Sequence, residues 1–345
     1  MKIRTLVSWF CIFLVSLIVT VSCTPSPKET SNTSSTPSAT RPIQMGFSAW
    51  PGWFPWQVAQ EQGLFTANKV KTNLKWFDGY LDSINALAAG QLDANSQTLN
   101  DTISSVAAGA DLVIVLTNDN SKGNDQIIVR EGIHSIQDLK GKKVAAEAGT
   151  VDHFLLLLGL QKAGMTQNDI QFESLETGAA AAAFAAGQLD AVGVFAPFTT
   201  KALLRPKSKI LFSSADFPGA ISDHLVVTRK LITERPQDVQ ALVNTWFETL
   251  KFMEANKQKA IEIITKRSAT SIEEYKQYET GTAIFNLKQN LKAFEAGQDR
   301  SSLPFAAQEI TQSLLKSRLI KQEPDLSKLF DNRFVKAYAD KVGKA

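Results

Sequence analysis

Residues 88–94 read AAGQLDA, and the same seven residues return at positions 185–191, 97 positions further along the chain. In each copy an alanine run ends at a glycine, the residue that often follows the last turn of a helix. The Leu-Asp-Ala that comes next indicates the start of a strand. A spacing of 97 residues is far longer than the period of a solenoid repeat. The repetition therefore predicts two lobes of similar design, each with this helix–glycine–strand unit.

Strand-like and helical segments alternate around both copies of the repeat. The predicted strands are residues 43–47, 70–77, about 93–95, 112–117, 143–146, 170–175 and 191–195, with helices between them. Such alternation is typical of parallel sheets in an α/β fold. From residue 229 onward helical periodicity dominates, including residues 272–282 and 326–342. These tail helices are expected to pack back on the first lobe.

The first 42 residues have the composition of a targeting segment followed by a linker. Lys2 and Arg4 precede an apolar run at residues 6–21, which is the layout of a secretory signal. The next residues, Thr-Val-Ser-Cys at 20–23, resemble a bacterial lipobox and predict lipidation of Cys23. Ordinary signal cleavage and an uncleaved anchor helix are the alternatives.

Residues 24–42 are rich in Ser, Thr and Pro and contain no large apolar side chain, so they cannot offset the entropy of ordering. They predict a disordered tether. The domain plan is then a signal peptide at 1–22, a tether at 23–42, lobe one at 43–131 plus 226–345, and lobe two at 132–225.

Composition excludes several classes of protein. Cys11 and Cys23 are the two cysteines, so residues 24–345 have no disulfide, no thiolate metal site and no cysteine nucleophile. The three histidines are scattered, and neither a metal nor a cofactor is expected. Removing Lys2 and Arg4 from the 37 basic residues leaves 35 against 34 acidic ones, which gives no charge for nucleic-acid binding.

Aromatic and short polar side chains follow the predicted strands. Ligands of open α/β sheets bind beyond the carboxyl ends of the strands, and two facing lobes would make a cleft there. Apolar rings with a few hydrogen-bonding groups suit a small-molecule site. Ordinary polar loops, core tryptophans and helix-capping acids are the structural alternative. The candidate ligand-binding residues are Trp50, Gly52, Trp53, Tyr80, Ser96, Thr98, Asp119, Thr150, Asp152, Glu176, Phe195 and Asp223.

Two charge patterns compete within this candidate set. Ser96 and Thr150 stand at predicted helix N-termini, where free N–H groups suit an anion. The carboxylates, among them Asp119 and Asp223, would repel an anion and attract an amino or cationic group that could stack on Trp and Tyr. A nitrogen-bearing solute, zwitterionic for example, satisfies both patterns.

The order of motifs resembles one family of binding proteins. The segments WPGWFP, EQGLF, ALAAGQLDA, DLKGKKVAAEAGT, LQKAGM and AFAAGQLDAVGVFAPF are similar to those of nitrate-, sulfonate- and taurine-type substrate-binding lipoproteins of ABC importers. Relatives that bind thiamine pyrimidine precursors belong to the same group. The resemblance covers residues 43–250 best. The stretch DNSKGND resembles a DxSxGAD loop of one branch, with Asn124 in place of Ala.

This resemblance implies a two-lobed, clamshell periplasmic-binding fold. It places Pro51, Gly52, Ser96, Thr98, Asp119, Thr150, Asp152 and Phe195 at positions that line the cleft in relatives. It also implies a monomer, lipid-anchored in the periplasm or on the outer face of the cytoplasmic membrane, with a small-molecule solute, an ABC permease and a separate ATPase as partners. Taurine, an aliphatic sulfonate, nitrate and a pyrimidine precursor all remain open as solutes.

The alternative from another class is a secreted enzyme on the same fold, such as a relative that acts in pyrimidine synthesis. Asp119 and Asp223 could act as acid and base, but no GxSxG nucleophile motif or metal-binding set accompanies them. The Walker motif GxxxxGK[ST] is also missing, so this chain is not expected to hydrolyse ATP by that route.

Overall fold

The computed structural model describes residues 41–343. The predicted signal peptide, the predicted lipidation site Cys23 and all but two residues of the predicted tether lie outside the described residues. Within the described part, no helix combines the length and the hydropathy that crossing a membrane requires.

Eleven strands occur within residues 41–343, and they form two sheets. In chain order they are β1 (Ile43–Phe47), β2 (Thr72–Trp76), β3 (Ala94–Thr98), β4 (Leu112–Ser121), β5 (Asp125–Val129), β6 (Lys143–Ala146), β7 (Gln171–Ser174), β8 (Ala191–Phe195), β9 (Lys209–Ser213), β10 (Ser222–Thr228) and β11 (Thr282–Ile284). The first sheet has the order β11-β4-β10-β3-β1-β2, and the second has the order β7-β6-β8-β5-β9. The chain therefore crosses between the sheets twice, after β4 and after β9. The predicted lobe limits, 131/132 and 225/226, remain a prediction.

Helices connect these strands and form the tail of the chain. Within the same described range they are α1 (Pro55–Glu61), α2 (Leu64–Ala67), α3 (Tyr80–Ala88), α4 (Leu99–Ala107), α5 (Val151–Lys162), α6 (Thr177–Ala185), α7 (Phe198–Leu203), α8 (Arg229–Glu234), α9 (Pro236–Ala255), α10 (Lys257–Ser268), α11 (Ile272–Thr280), α12 (Leu287–Ala293), α13 (Leu303–Lys316) and α14 (Arg333–Gly343). The α/β fold class is confirmed.

The repeated heptapeptide occupies the same place in both halves. The first copy joins the end of α3 to β3, and the second joins the end of α6 to β8. The glycine of each copy has a positive φ, 70° at Gly90 and 83° at Gly187, which ends the helix at little steric cost.

The aspartate of each copy explains why the two segments are so alike. Asp93 accepts hydrogen bonds from the backbone N–H of Gln44 in β1 and from the Arg41 guanidinium. Asp190 accepts the equivalent bonds from the backbone N–H of Lys143 in β6 and from Arg130. In each half this carboxylate therefore ties the start of its own strand to the neighbouring parallel strand.

Both sheets are mixed, so the prediction of parallel sheets was wrong in part. β1 runs parallel to β2 and β3, and β6 runs parallel to β7 and β8. β10, however, pairs antiparallel with β3 and β4, while β5 pairs antiparallel with β8 and β9. Each of these strands follows a crossing between the sheets, so it enters its new sheet from the opposite end. The assignment of residues 112–117 to a parallel strand was therefore wrong, because β4 has antiparallel neighbours.

The helical tail packs on the first sheet, as predicted. Trp246 of α9 lies with its ring centroid 4.8 Å from that of Trp56 in α1, and both side chains are buried. Two tail elements were missed, namely β11 and α12. The predicted helix at 326–342 begins only at Arg333, because the backbones of Leu329 and Asp331 pair with Ile114 of β4.

Candidate functional site

A small cavity, with an accessible volume of about 10 Å³, lies between elements of the first sheet and elements of the second. The first side contributes the loop after β1, the start of α3, the end of β3 and the start of β10. The second side contributes the starts of β5 and α5 and the end of β8. The lining side chains are Trp50, Trp53, Tyr80, Thr98, Asp125, Val151, Phe195, Ile221 and Asp223.

Four aromatic rings form a closed circuit around this cavity. Successive ring centroids are 6.5 Å apart for Trp50–Trp53, 5.2 Å for Trp53–Tyr80, 6.1 Å for Tyr80–Phe195 and 6.2 Å for Phe195–Trp50. Phe195 comes from the second sheet, whereas the other three rings come from the first side. A tight turn, with the N–H of Trp53 bonded to the carbonyl of Trp50, places both tryptophans on one side.

Two carboxyl groups of neighbouring strands meet beside the rings. Asp119 of β4 and Asp223 of β10 are opposite each other in the antiparallel ladder, and the charge of Asp119 raises the pKa of Asp223. The indole N–H of Trp50 donates to Asp119 Oδ1 at 3.0 Å. The sequence placed both aspartates in loops, and this was wrong because the β4–β10 ladder continues through them.

Gly52 is where the loop backbone approaches this carboxyl pair. A Cβ atom at position 52 would lie 1.9 Å from Asp119 Oδ2. The absence of a side chain therefore lets the loop that carries Trp50 and Trp53 close against β4.

Burial raises the pKa values of the acids in and behind the cavity. Desolvation raises the pKa of Asp101, Asp119 and Asp125 to about 7 each. The pKa of Asp223 lies well above its ordinary value because the side chain is buried and because Asp119 and Asp125 add negative charge. Burial likewise raises the pKa of Asp152 well above its ordinary value. The site therefore concentrates acids that pay a desolvation cost to ionise.

Comparison with known proteins identifies the family. The model of the NMT1-like family matches residues 36–267. This chain belongs to the NMT1-like family. The resemblance to nitrate-, sulfonate- and taurine-type binding proteins is confirmed by this match together with relatives named for aliphatic-sulfonate and taurine binding and a solved nitrate-binding structure of the same fold.

Two curated relatives illustrate this membership. A binding protein of Brucella abortus strain 2308 is 29% identical to this NMT1-like chain over 231 residues, which cover 65% of the chain and 71% of that protein. A protein of Escherichia coli strain K12 whose name describes aliphatic-sulfonate binding is 29% identical over 213 residues, covering 61% of the chain and 66% of that protein.

The fold also matches solved structures. The alkanesulfonate-binding protein SsuA of Xanthomonas axonopodis pv. citri, bound to MOPS, superposes with a TM-score of 0.72 at 20% identity. The match covers 84% of this chain and 98% of that structure. The prediction of a two-lobed periplasmic-binding fold is confirmed.

The structure of this NMT1-like chain brings eight of the predicted site residues together. Six of them line the cavity, and Gly52 and Asp119 lie directly behind Trp50. The six are Trp50, Trp53, Tyr80, Thr98, Phe195 and Asp223. Thr98 also caps α4, and its backbone N–H donates to the Tyr80 hydroxyl at 2.9 Å. Their role as ligand contacts remains a prediction.

Four other predicted residues serve neighbouring elements. Ser96 lies inside β3 and not at a helix N-terminus, and its hydroxyl accepts from the Trp56 indole at 2.9 Å. Thr150 does precede α5, but its hydroxyl donates to the Glu147 carbonyl. Asp152 Oδ2 accepts from the hydroxyl of Thr177 at 2.7 Å.

Glu176 does not line the cavity, and its role as a ligand contact stays a prediction. Its exposed carboxylate caps α6 by accepting from the backbone N–H groups of Gly178 and Ala179, at 2.8 and 2.9 Å. Neither the Ser96 nor the Thr150 side chain lines the cavity, but α5 begins at the lining residue Val151. Anion binding at these positions stays a prediction.

Three lining residues were not among the predicted set, namely Asp125, Val151 and Ile221. Asp125 closes the DNSKGND stretch and Val151 follows Thr150, so both had sequence neighbours that pointed to the site. Ile221 carried no such signal, because its place depends on where β10 rejoins the first sheet.

Proposed function

We propose that this chain is the solute-binding component of an ABC importer, which captures a small organic solute between two lobes and delivers it to a permease driven by a separate ATPase. The observation that supports this most directly is the origin of the cavity lining. Phe195 and Asp125 come from the second sheet, whereas Trp50, Tyr80 and Asp223 come from the first side. A solute in contact with both sides stabilises the closed arrangement of the lobes, which is a shift of population and not a chemical step.

Solute binding is expected to compact the protein. The measurement is small-angle scattering of the purified chain before and after addition of a solute found by thermal-shift screening. A solute at about 100 times its Kd adds roughly 2.7 kcal/mol of stability, so a hit is readily seen. A smaller radius of gyration with unchanged solute supports the proposal, while conversion of the solute to a product would make the chain an enzyme.

We further propose a lipid anchor at Cys23, on the periplasmic or outer face of the cytoplasmic membrane. A Cys23→Ala variant is expected to move from the membrane fraction to the soluble fraction, because the acyl chains are lost while the folded part is untouched. Fractionation with Cys11→Ala as the matched control measures this. Retention of the Cys23→Ala variant in membranes would show that the signal segment itself is the anchor.

A further inference from the structure

The charged side chains that line the cavity are both acidic. Asp125 and Asp223 stand in the lining, which includes no lysine or arginine. Asp119 lies next to Asp223, and Asp101 and Asp152 are buried close behind. None of the ion pairs formed within residues 41–343 includes any of these five carboxyl groups. The protein itself therefore supplies no cation to balance these groups when they ionise.

Oxygen atoms of the lining carboxyl groups also lack hydrogen-bond donors. Asp125 Oδ2 and Asp223 Oδ2 have no partner, and both residues are only 1% exposed. A buried acceptor without a donor is costly, and more so when it is charged. These two oxygens belong to opposite sides of the cavity, because β5 lies in the second sheet and β10 in the first.

The aromatic circuit favours the same kind of ligand. The faces of Trp and Tyr rings attract cations within about 6 Å of the ring centroid, and more strongly where water is excluded. Trp50, Trp53 and Tyr80 are each at most 4% exposed. The free indole N–H of Trp53 adds one donor, which suits a neutral acceptor such as a hydroxyl group.

We infer that the solute is a small organic cation with N–H groups, such as a protonated amine or an amidinium, held between Asp125 and Asp223 inside the aromatic circuit. This inference rests on the proposed function and names its substrate class. A quaternary ammonium ion would satisfy the rings but would leave both carboxylate oxygens without donors. A sulfonate or nitrate ion would meet two carboxyl groups and neither a lysine nor an arginine in the lining.

A bare metal ion fits these residues less well than an organic cation. Within the part of the chain that the structure describes, no three His, Cys, Asp or Glu side chains are grouped so as to hold a metal. Divalent metals of the magnesium and calcium type require several oxygen ligands in one shell.

The test is a thermal-shift and calorimetric comparison of matched probes on the purified full-length chain. The buffer is sodium phosphate at about pH 8, which avoids amine and sulfonate buffers and keeps aliphatic amines protonated. The cationic probes are butylammonium, 1,4-diaminobutane, acetamidinium and tetramethylammonium. The anionic and metal probes are ethanesulfonate, taurine, nitrate and magnesium.

A stabilising shift with an N–H cation, larger than the shift with tetramethylammonium, is the expected result. A shift with ethanesulfonate, taurine or nitrate but with no cation would overturn the inference and leave the proposed function standing. A shift with magnesium alone would also overturn it. If no probe shifts the thermal midpoint or gives a heat of binding, the inference is overturned and the proposed function also loses support.

Variants that replace the lining carboxyl groups with amides test whether those groups bind the cation. Asp223→Asn and Asp125→Asn are each expected to weaken binding of the best cationic probe by roughly tenfold or more, which is the usual cost of losing a charged hydrogen bond. Asp340→Asn is the matched control, because Asp340 is exposed in the tail helix α14. If these variants bind ethanesulfonate more tightly and bind the cation as before, the assignment of Asp125 and Asp223 to a cationic solute is overturned. Two positions are tested because one of the variants could fail to fold.

Discussion

A Gly52→Ala substitution is expected to disrupt the site and to lower the free energy of unfolding by about 1–3 kcal/mol, the typical cost of overpacking. The new Cβ atom would lie 1.9 Å from Asp119 Oδ2, a separation that no pair of atoms tolerates without movement. Asp119 cannot move freely, because its backbone lies in β4 between β10 and β11. The carboxyl group must therefore leave either the Trp50 indole or Asp223, or the loop must move away from β4.

Chemical denaturation with a binding titration measures this effect, and Gly79→Ala is the matched control. Gly79 also precedes a site residue, but its added Cβ atom would meet Asp82 Oδ2 at 3.0 Å. Asp82 is exposed and can rotate away. Equal stability and probe binding in Gly52→Ala and the wild type would show that the loop does not depend on contact with Asp119.

Local sequence patterns predicted those parts of the fold that depend on local structure. The limits of β1, β6 and β8 agree with the predicted strands, because short apolar runs bounded by turn residues define each of them. The sequence also predicted that the two AAGQLDA copies occupy equivalent places, because each copy contains a helix end and the start of the strand that follows it. The aromatic loop at Trp50 and Trp53 belongs to this class as well.

Long-range pairing accounts for the predictions that were wrong. Asp119 and Asp223 face each other because β10 inserts antiparallel beside β4, although they are 104 positions apart and all strands of the second sheet lie between them in the chain. No local signal records that pairing. Glu176 shows a different difficulty, since an acid just before a helix was predicted to bind ligand, and the structure shows that it caps α6. Its binding of ligand stays a prediction. A single sequence does not distinguish these two uses of a carboxylate at the end of a strand.

An Asp119→Asn substitution is expected to stabilise the solute-free protein at about pH 8 by roughly 1–3 kcal/mol, the cost of an unsatisfied buried polar group. Asp119 faces Asp223, and the charge of Asp119 raises the pKa of Asp223, so the pair resists carrying two negative charges. The asparagine amide can donate to Asp223 without a proton from solvent, and its carbonyl can still accept from Trp50. The variant thus reproduces the protonated state of the pair at any pH.

The pH dependence follows from the direction of the pKa shifts. The pKa of Asp119 is raised by burial from 3.8 to about 7, so the folded state binds more protons than the unfolded state between these values. Stability from this group is then present below about pH 4 and is lost as the pH rises through about 7. Asp101, Asp125 and Asp223 share this direction, because burial raises the pKa of each. The wild type should therefore have a higher thermal midpoint at about pH 5 than at about pH 8, and Asp119→Asn should reduce that difference.

Thermal unfolding at both pH values separates this account from a packing effect. Asp119→Ala is the matched control, because it removes the same charge but also removes the acceptor of Trp50 and leaves a space beside Asp223. It is expected to destabilise the protein at both pH values. If Asp119→Asn instead lowers the midpoint at about pH 8 as much as Asp119→Ala does, the carboxylate holds the fold together. If Asp119→Asn raises the thermal midpoint at about pH 8 and weakens cation binding, the Asp119–Asp223 pair destabilises the solute-free protein and is needed to bind the solute.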